Sequence, residues 1–321
     1  MRKVNLIVKA FIAAVSVAVF CGSATAGDIS RPLGSKEIRE NIYSSAVISG
    51  QGVIICCDNG KIYLSDDRGC TWFRVASGTN QPLYSVCFTD GKNGWIAGRA
   101  GTILHTTDGG RSWASQKSGI NKHLFGIHFS DPLHGCAVGD WGAVVVTDDG
   151  GLTWQDVHLE EDIVLYAVRM TKKGGIIVGE FGSIIKSDDY GHTWTIQPPV
   201  VEQSLFCLSE NNGKLMAGGL EGVIIYSDDG GAHWSQSQNN LMHSIYGIDL
   251  LGNAGYAVGD RGTILMSADG GKTWDHLKVP LQIRMFWLSS VSISSENGVL
   301  GGFGSGANGI TFKLKDKQIS W

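Results

Sequence analysis

The sequence predicts an all-β protein, a seven-bladed β-propeller, from three observations. A short turn motif recurs six times at a spacing of 40 or 41 residues, marked by Asp67, Asp108, Asp149, Asp189, Asp229 and Asp269. Between the copies run short apolar segments, four per unit, each bounded by glycine-rich links. Glycine contributes 45 of 321 residues, and helix-period patterning is nearly absent.

The second unit reads as strands at 83–88, 94–98, 101–106 and 112–116, and the third as 124–129, 135–139, 142–147 and 153–157. Four antiparallel strands in a unit of this length make one blade of a propeller. The first blade begins near residue 44 and the Asp-bearing units run to about residue 280. A seventh run, 286–314, offers three strands and no Asp-bearing turn. Its fourth strand must come from residues 28–43 or from the tail ending at Trp321. The propeller is therefore expected over 44–315, with a tail at 316–321 and a segment at 27–43 that is free to close the last blade.

Residues 1–26 read as an export signal. Arg2, Lys3 and Lys9 precede an apolar run, and Ala24-Thr25-Ala26 offers a small-x-small cleavage site. The run is shorter than the roughly 20 apolar residues a spanning helix needs, and no other stretch is apolar enough. An exported chain, periplasmic or secreted, with no transmembrane segment after cleavage is expected. The whole chain carries 26 Lys and Arg against 30 Asp and Glu, and the leader holds three of the cations. No basic stripe remains to displace phosphate counterions, which excludes nucleic acid as the expected partner.

Each turn follows Ser/Thr-x-Asp-x-Gly-x-x-Trp, as in Ser65-Asp-Asp67-Arg-Gly69-Cys-Thr-Trp72. This is an Asp-box. The hydroxyl and carboxylate accept backbone N–H groups, and the glycine supplies a positive φ. Trp72, Trp113, Trp154, Trp194, Trp234 and Trp274 open the outer strands and are expected to pack between blades. The acidic residue before the Asp is replaced by Thr107 and Ala268 in two copies, which argues against a calcium site. Cys56, Cys57, Cys70, Cys87, Cys136 and Cys207 fall irregularly across the units. A bridge from Cys56 or Cys57 to Cys70 or Cys87 and a set of free thiols both remain open. Neither the cysteines nor the histidines show metal-ligand spacing, so neither metal nor cofactor is expected.

Function is expected on the face carrying the Gly-x-x-Gly links, where fixed glycines frame two variable residues. The candidate partner-binding set is Arg99, Asp140, Trp141, Glu180, Phe181, Glu221, Asp260 and Arg261, with Trp141 and Phe181 as anchors.

Tandem Asp-boxes followed by segments such as Gly259-Asp-Arg-Gly262-Thr-Ile264 and Gly179-Glu-Phe-Gly182-Ser-Ile184 resemble the photosystem II assembly and stability factors. The resemblance covers nearly the whole exported chain. It implies a non-enzymatic seven-bladed propeller that binds a precursor membrane protein through an arginine-rich patch. Here the comparable positions are mixed and net acidic. The expectation is thus a monomeric, non-catalytic scaffold for an envelope membrane protein, with no catalytic residues. The alternative is a sialidase-like glycoside hydrolase or a glycan-binding propeller. Hydrolysis would need three convergent arginines, for which Arg99, Arg169 and Arg261 are the candidates, and a Tyr–Glu pair that is not evident.

Overall fold

The computed structural model describes residues 33–34, 37–48, 52–171, 174–296, 299–315 and 318–321. The leader and its cleavage site lie outside the described residues. Seven antiparallel sheets are stacked around a central channel, six with four strands and the first with five. The second blade consists of Leu83–Phe88, Gly94–Gly98, Thr102–Thr106 and Ala114–Lys117, within two residues of the sequence expectation at every end. The seventh differs more: its two inner strands, Leu288–Glu296 and Val299–Gly306, are longer than expected. The link after them is Gly306–Gly309, which carries the same glycine frame as the other blades.

The last blade takes its fourth strand from the tail, Gln318–Ser320. The N-terminal segment does something else. Leu33–Gly34 pairs with Trp72 and Thr71, adding a fifth strand to the first blade, and Ile42–Val47 is that blade's innermost strand. Among the described residues, no single sheet contains both the N-terminal strand Leu33–Gly34 and the tail strand Gln318–Ser320.

Closure instead uses residues 38–41 as a link with no covalent connection to the seventh blade. In the second, third and sixth blades, the second glycine of the Gly-x-x-Gly link donates its N–H to the outgoing connection: Gly101 to Lys122 O, Gly142 to Ile163 O and Gly262 to Phe286 O. In the seventh, Gly309 donates to Glu40 O at 2.7 Å. Glu40 then holds the first blade, its carboxylate ion-paired with Lys61 and accepting from Tyr63 Oη at 2.9 Å. Ser289 Oγ donates to Ile42 O at 2.6 Å, and Trp72 packs on Phe303 with ring centroids 5.8 Å apart.

Apolar cores lie between blades rather than inside one. Seven buried clusters fill the seven interfaces, and each joins residues from two neighbouring sheets. A single sheet of short strands exposes apolar side chains on both faces, so each blade depends on the next for burial.

The Asp-bearing turns fix these interfaces. In all six, the buried Ser or Thr hydroxyl accepts the N–H of the motif glycine at 2.7–3.0 Å and donates to Asp Oδ1 at 2.7–2.8 Å. The residue before each Trp donates its side chain to Asp Oδ2: Thr71, Ser112, Thr153, Thr193, His233 and Thr273. Sequence reading missed this position, although every copy places a donor there. The glycine then meets the preceding blade. At Gly110, φ is +84° and a Cβ would run into Ile54 of the first blade. All six Trp rings join the interfacial clusters, and Trp72 is fully buried.

A second set of bonds joins the blades at the channel, where the innermost strands have no further strand to pair with. Side chains of one inner strand accept N–H groups of the next. Ser44 Oγ accepts from Val86 N, Ser85 Oγ from Ile127 N, and Ser290 Oγ from Ser45 N across the seam. One layer deeper, His128 Nδ1 accepts from Met170 N at 3.0 Å, Ser209 Oγ from Leu250 N and Asp249 Oδ2 from Ile293 N. Burial, with a smaller contribution from Arg169, holds the His128 imidazole down to about 3. All six described cysteines are free, and burial pushes the thiols of Cys56, Cys87 and Cys207 up to about 12.

Two outcomes are expected. Gly309→Ala, at φ +70° with its Cβ directed onto Ile38 O, should destabilise the ring by about 1–3 kcal/mol more than Gly213→Ala. Gly213 has a similar φ but open space around it, so only the conformational cost applies there. Denaturant titration of both variants measures the difference, and equal losses would contradict the seam.

Acid should act in two stages. His128 is depressed below its ordinary 6.5, so its contribution is complete above pH 6.5 and is lost as pH falls toward about 3. Asp189 and Asp269 are held near 2, the first chiefly by its bond from Thr193, the second by bonds from Thr273 that outweigh burial. Their contribution is complete above pH 3.8 and lost toward pH 2. Calorimetry from pH 8 to 3 should show the melting temperature falling from about pH 6.5, and His128→Gln should reduce that first decline.

Candidate binding face

The links between the two middle strands of each blade share one face with the connections between blades. Six are single 3-10 turns, from Asp58–Gly60 in the first blade to Ala307–Gly309 in the last, and residues 140–142 form the third blade's equivalent. The two variable positions in each turn do different work.

The first position is tied inward. Its N–H donates to the residue that precedes the inner strand: Arg99 to Pro82 O, Asp140 to His123 O, Glu180 to Val164 O, Leu220 to Ser204 O and Asp260 to Ser244 O. Where the side chain is acidic, it strengthens the same anchor. Asp140 Oδ1 accepts from His123 N at 2.7 Å, and Glu180 Oε2 from Val164 N at 2.9 Å. Asp260 Oδ1 accepts from Arg261 N within its own turn. These three acids hold the turn as well as facing the rim.

The second position is presented outward. Asn59, Ala100, Trp141, Phe181, Glu221, Arg261 and Asn308 all lie at φ between 52° and 57°, the left-handed region. Asn tolerates that region, because its side chain bonds locally, whereas bulky residues reach it at a cost of about 1–2 kcal/mol. The first and last blades use Asn59 and Asn308. The third and fourth use Trp141 and Phe181, which are 62% and 69% exposed. Two large rings thus occupy strained positions and bury little of themselves. Packing does not account for them.

Their surroundings are acidic. Glu160, Glu161 and Asp162 are exposed in the connection beside Trp141, and with Lys122 and His158 they line a shallow cavity of about 450 Å³. Lys122 Nζ donates to Trp141 O at 2.9 Å. Glu221 follows in the fifth blade beside exposed Leu220, an apolar rim residue absent from the sequence-based set. Arg99 and Arg261 stand in the turns of the second and sixth blades.

The channel supplies a feature that sequence reading also missed. Tyr43, Tyr84, Phe125, Tyr166, Phe206 and Tyr246 occupy one equivalent position, the residue bulged out just after each inner strand begins. In the seventh blade the bulged residue is Ser289, and Trp287 beside it stacks on Tyr43 with ring centroids 6.1 Å apart. Successive rings from Tyr43 to Tyr246 lie 5.1–6.1 Å apart. The recurring Leu/Ile-Tyr/Phe pair at a spacing of 40 or 41 residues was the available signal. Below this belt lies a channel of about 1160 Å³, with Arg169 on its wall. Arg169 faces Asp249, Cys87, Cys207 and Glu210, so it is set apart in the channel from the rim residues Arg99 and Arg261.

The family profile described as "Photosynthesis system II assembly factor YCF48" matches residues 37–126 and 111–200. No curated protein matches the sequence. Among solved structures, "YCF48 bound to D1 peptide" is similar at 21% identity and a TM-score of 0.69, over 86% of this chain and 93% of that one. YCF48 from Cyanidioschyzon merolae has 16% identity and the same TM-score, over 88% and 97%. An ancestral GH74 enzyme reaches 0.68 at 15% identity, covering 86% of this chain but 45% of its own. At these identities the structural likenesses establish the fold alone. With the profile spanning residues 37–200, just over half its length, the chain belongs to the photosynthesis system II assembly factor YCF48 family.

Proposed function

We propose that the protein is an exported, non-catalytic scaffold that binds another protein, as an assembly or stability factor for a membrane protein complex of the cell envelope. The observation that carries this reading is the placement of Trp141 and Phe181, large exposed rings in left-handed backbone where the first and last blades use Asn. Exposed aromatic anchors within a charged surround are the usual core of a protein-binding surface. Family membership supports the reading, since a related propeller has been solved bound to a D1 peptide.

The charge of the face bears on the partner. Glu160, Glu161 and Asp162 lie beside Trp141, and Glu221 stands in the rim turn that follows Phe181, so the matching segment carries Lys or Arg beside apolar side chains. This differs from the arginine-rich patch that the resemblance implies. The hydrolase alternative draws no support from Arg99, Arg169 and Arg261, which stand in separate places. It would also need a nucleophile pair that the sequence does not offer.

The test is cross-linking of the exported protein in its native envelope, with mass spectrometry of the captured proteins. One membrane protein or complex should be enriched, and the enrichment should fall at least tenfold in the Trp141→Asn/Phe181→Asn variant. The same variant should melt no lower than wild type, because Asn suits the left-handed turn and little packing is lost. A collapse in melting, or undiminished capture, would contradict the assignment. Binding should also weaken with added salt, as screening of an acidic face requires.

A further inference from the structure

The central channel has the make-up of a ligand site that protein binding at the rim does not use. Its mouth is ringed by seven aromatic side chains. The layer beneath is built from small residues, among them Ser44, Ser85, Gly126, Ala167 and Gly247. In the next layer three of the channel-lining side chains have a structural task. His128, Ser209 and Asp249 each accept an N–H from the following blade. At the equivalent place in the fourth blade stands Arg169, whose guanidinium has no acceptor to offer Glu210 of the fifth.

Arg169 donates one hydrogen bond, from Nη1 to Val168 O at 3.0 Å, and forms no ion pair among the described residues. The residue lines the channel. Asp249 attracts it through space, but that carboxylate is already held: Oδ1 accepts from Ser209 Oγ and Leu250 N, and Oδ2 from Ile293 N. Glu210 Oε1 is likewise turned to its own hairpin, accepting from Gly213 N at 2.8 Å. A guanidinium removed from bulk water is costly unless an anion meets it. It is also the side chain best shaped to bind a carboxylate through two parallel N–H groups.

We propose that the channel binds a small organic acid, its carboxylate on Arg169 and a flat apolar body against the aromatic belt. The rings supply area and offset or edge-to-face stacking, while the guanidinium sets the charge and orientation. Trp141 and Phe181 take no part, so the site and the rim are separable.

Fluorine-observed NMR of 4-fluorophenylacetate, with 4-fluorophenylacetamide as its uncharged counterpart, tests this on the full exported chain. The acid should bind wild type at least tenfold more tightly than the amide. Arg169→Gln should abolish that preference, and Arg169→Lys should retain part of it. Phe206→Ala should weaken acid and amide together. The Trp141→Asn/Phe181→Asn variant should bind the acid as wild type does. Failure of the acid to bind wild type, equal binding of acid and amide, or an unchanged preference in a folded Arg169→Gln protein would each overturn the proposal. If Arg169→Gln does not fold, the comparison of acid with amide on wild type decides alone.

Discussion

Every blade of this protein is a sheet with two apolar faces, and burying both requires a neighbour on each side. That constraint selects a closed ring over a stack, since a stack leaves its two end faces wet. The turns and the channel then enforce it from opposite ends of each sheet. On the outside, a buried hydroxyl and an aspartate hold a glycine and a tryptophan in the wedge between blades. On the inside, side chains of one inner strand accept N–H groups of the next. The seam between the first and last blades obeys the same rules, with Trp72 on Phe303, Ser290 on Ser45, and Glu40 standing where a connecting loop would pass.

A ring held at both edges leaves its connecting turns free to vary, and the proposed binding face lies there. One residue of each rim turn anchors it and the next faces solvent, so seven side chains are shown at fixed angular intervals. Only Asn59 and Asn308 suit the left-handed backbone. Trp141 and Phe181 differ from the other five in being large rings that stay mostly exposed, which separates them from the scaffold on physical grounds. The same logic singles out Arg169 in the channel. It occupies a place where its neighbours accept a hydrogen bond, and its chemistry forbids that task.

Most of the fold was legible because the repeat is written in residues with few substitutes. A hydroxyl, an aspartate, a glycine and a tryptophan recurring every 40 or 41 residues leave little choice of architecture. Strand ends in the second blade came within two residues. The seventh blade was harder, since it lacks the Asp-bearing turn and its Gly306–Gly309 link is preceded by glycines at 301, 302 and 304 that blur the strand. Two readings needed coordinates. The division of each rim pair into an anchoring and a presented residue depends on backbone angles, which composition does not reveal. The aromatic belt was written in the sequence, yet its residues alternate with core positions and read as ordinary strand. Arg169 was weighed in the sequence only beside Arg99 and Arg261, and its layer in the channel, apart from the rim, needed the structure.

The most direct test of the account is hydrogen exchange by mass spectrometry on the protein alone and within its native complex. The account predicts slowed exchange in the complex at residues 139–142 and 179–182 and in the connection at 158–163, with the Asp-bearing turns unchanged. Protection centred on those turns, at residues 147–154 and 187–194, would place the partner on the opposite face and contradict it.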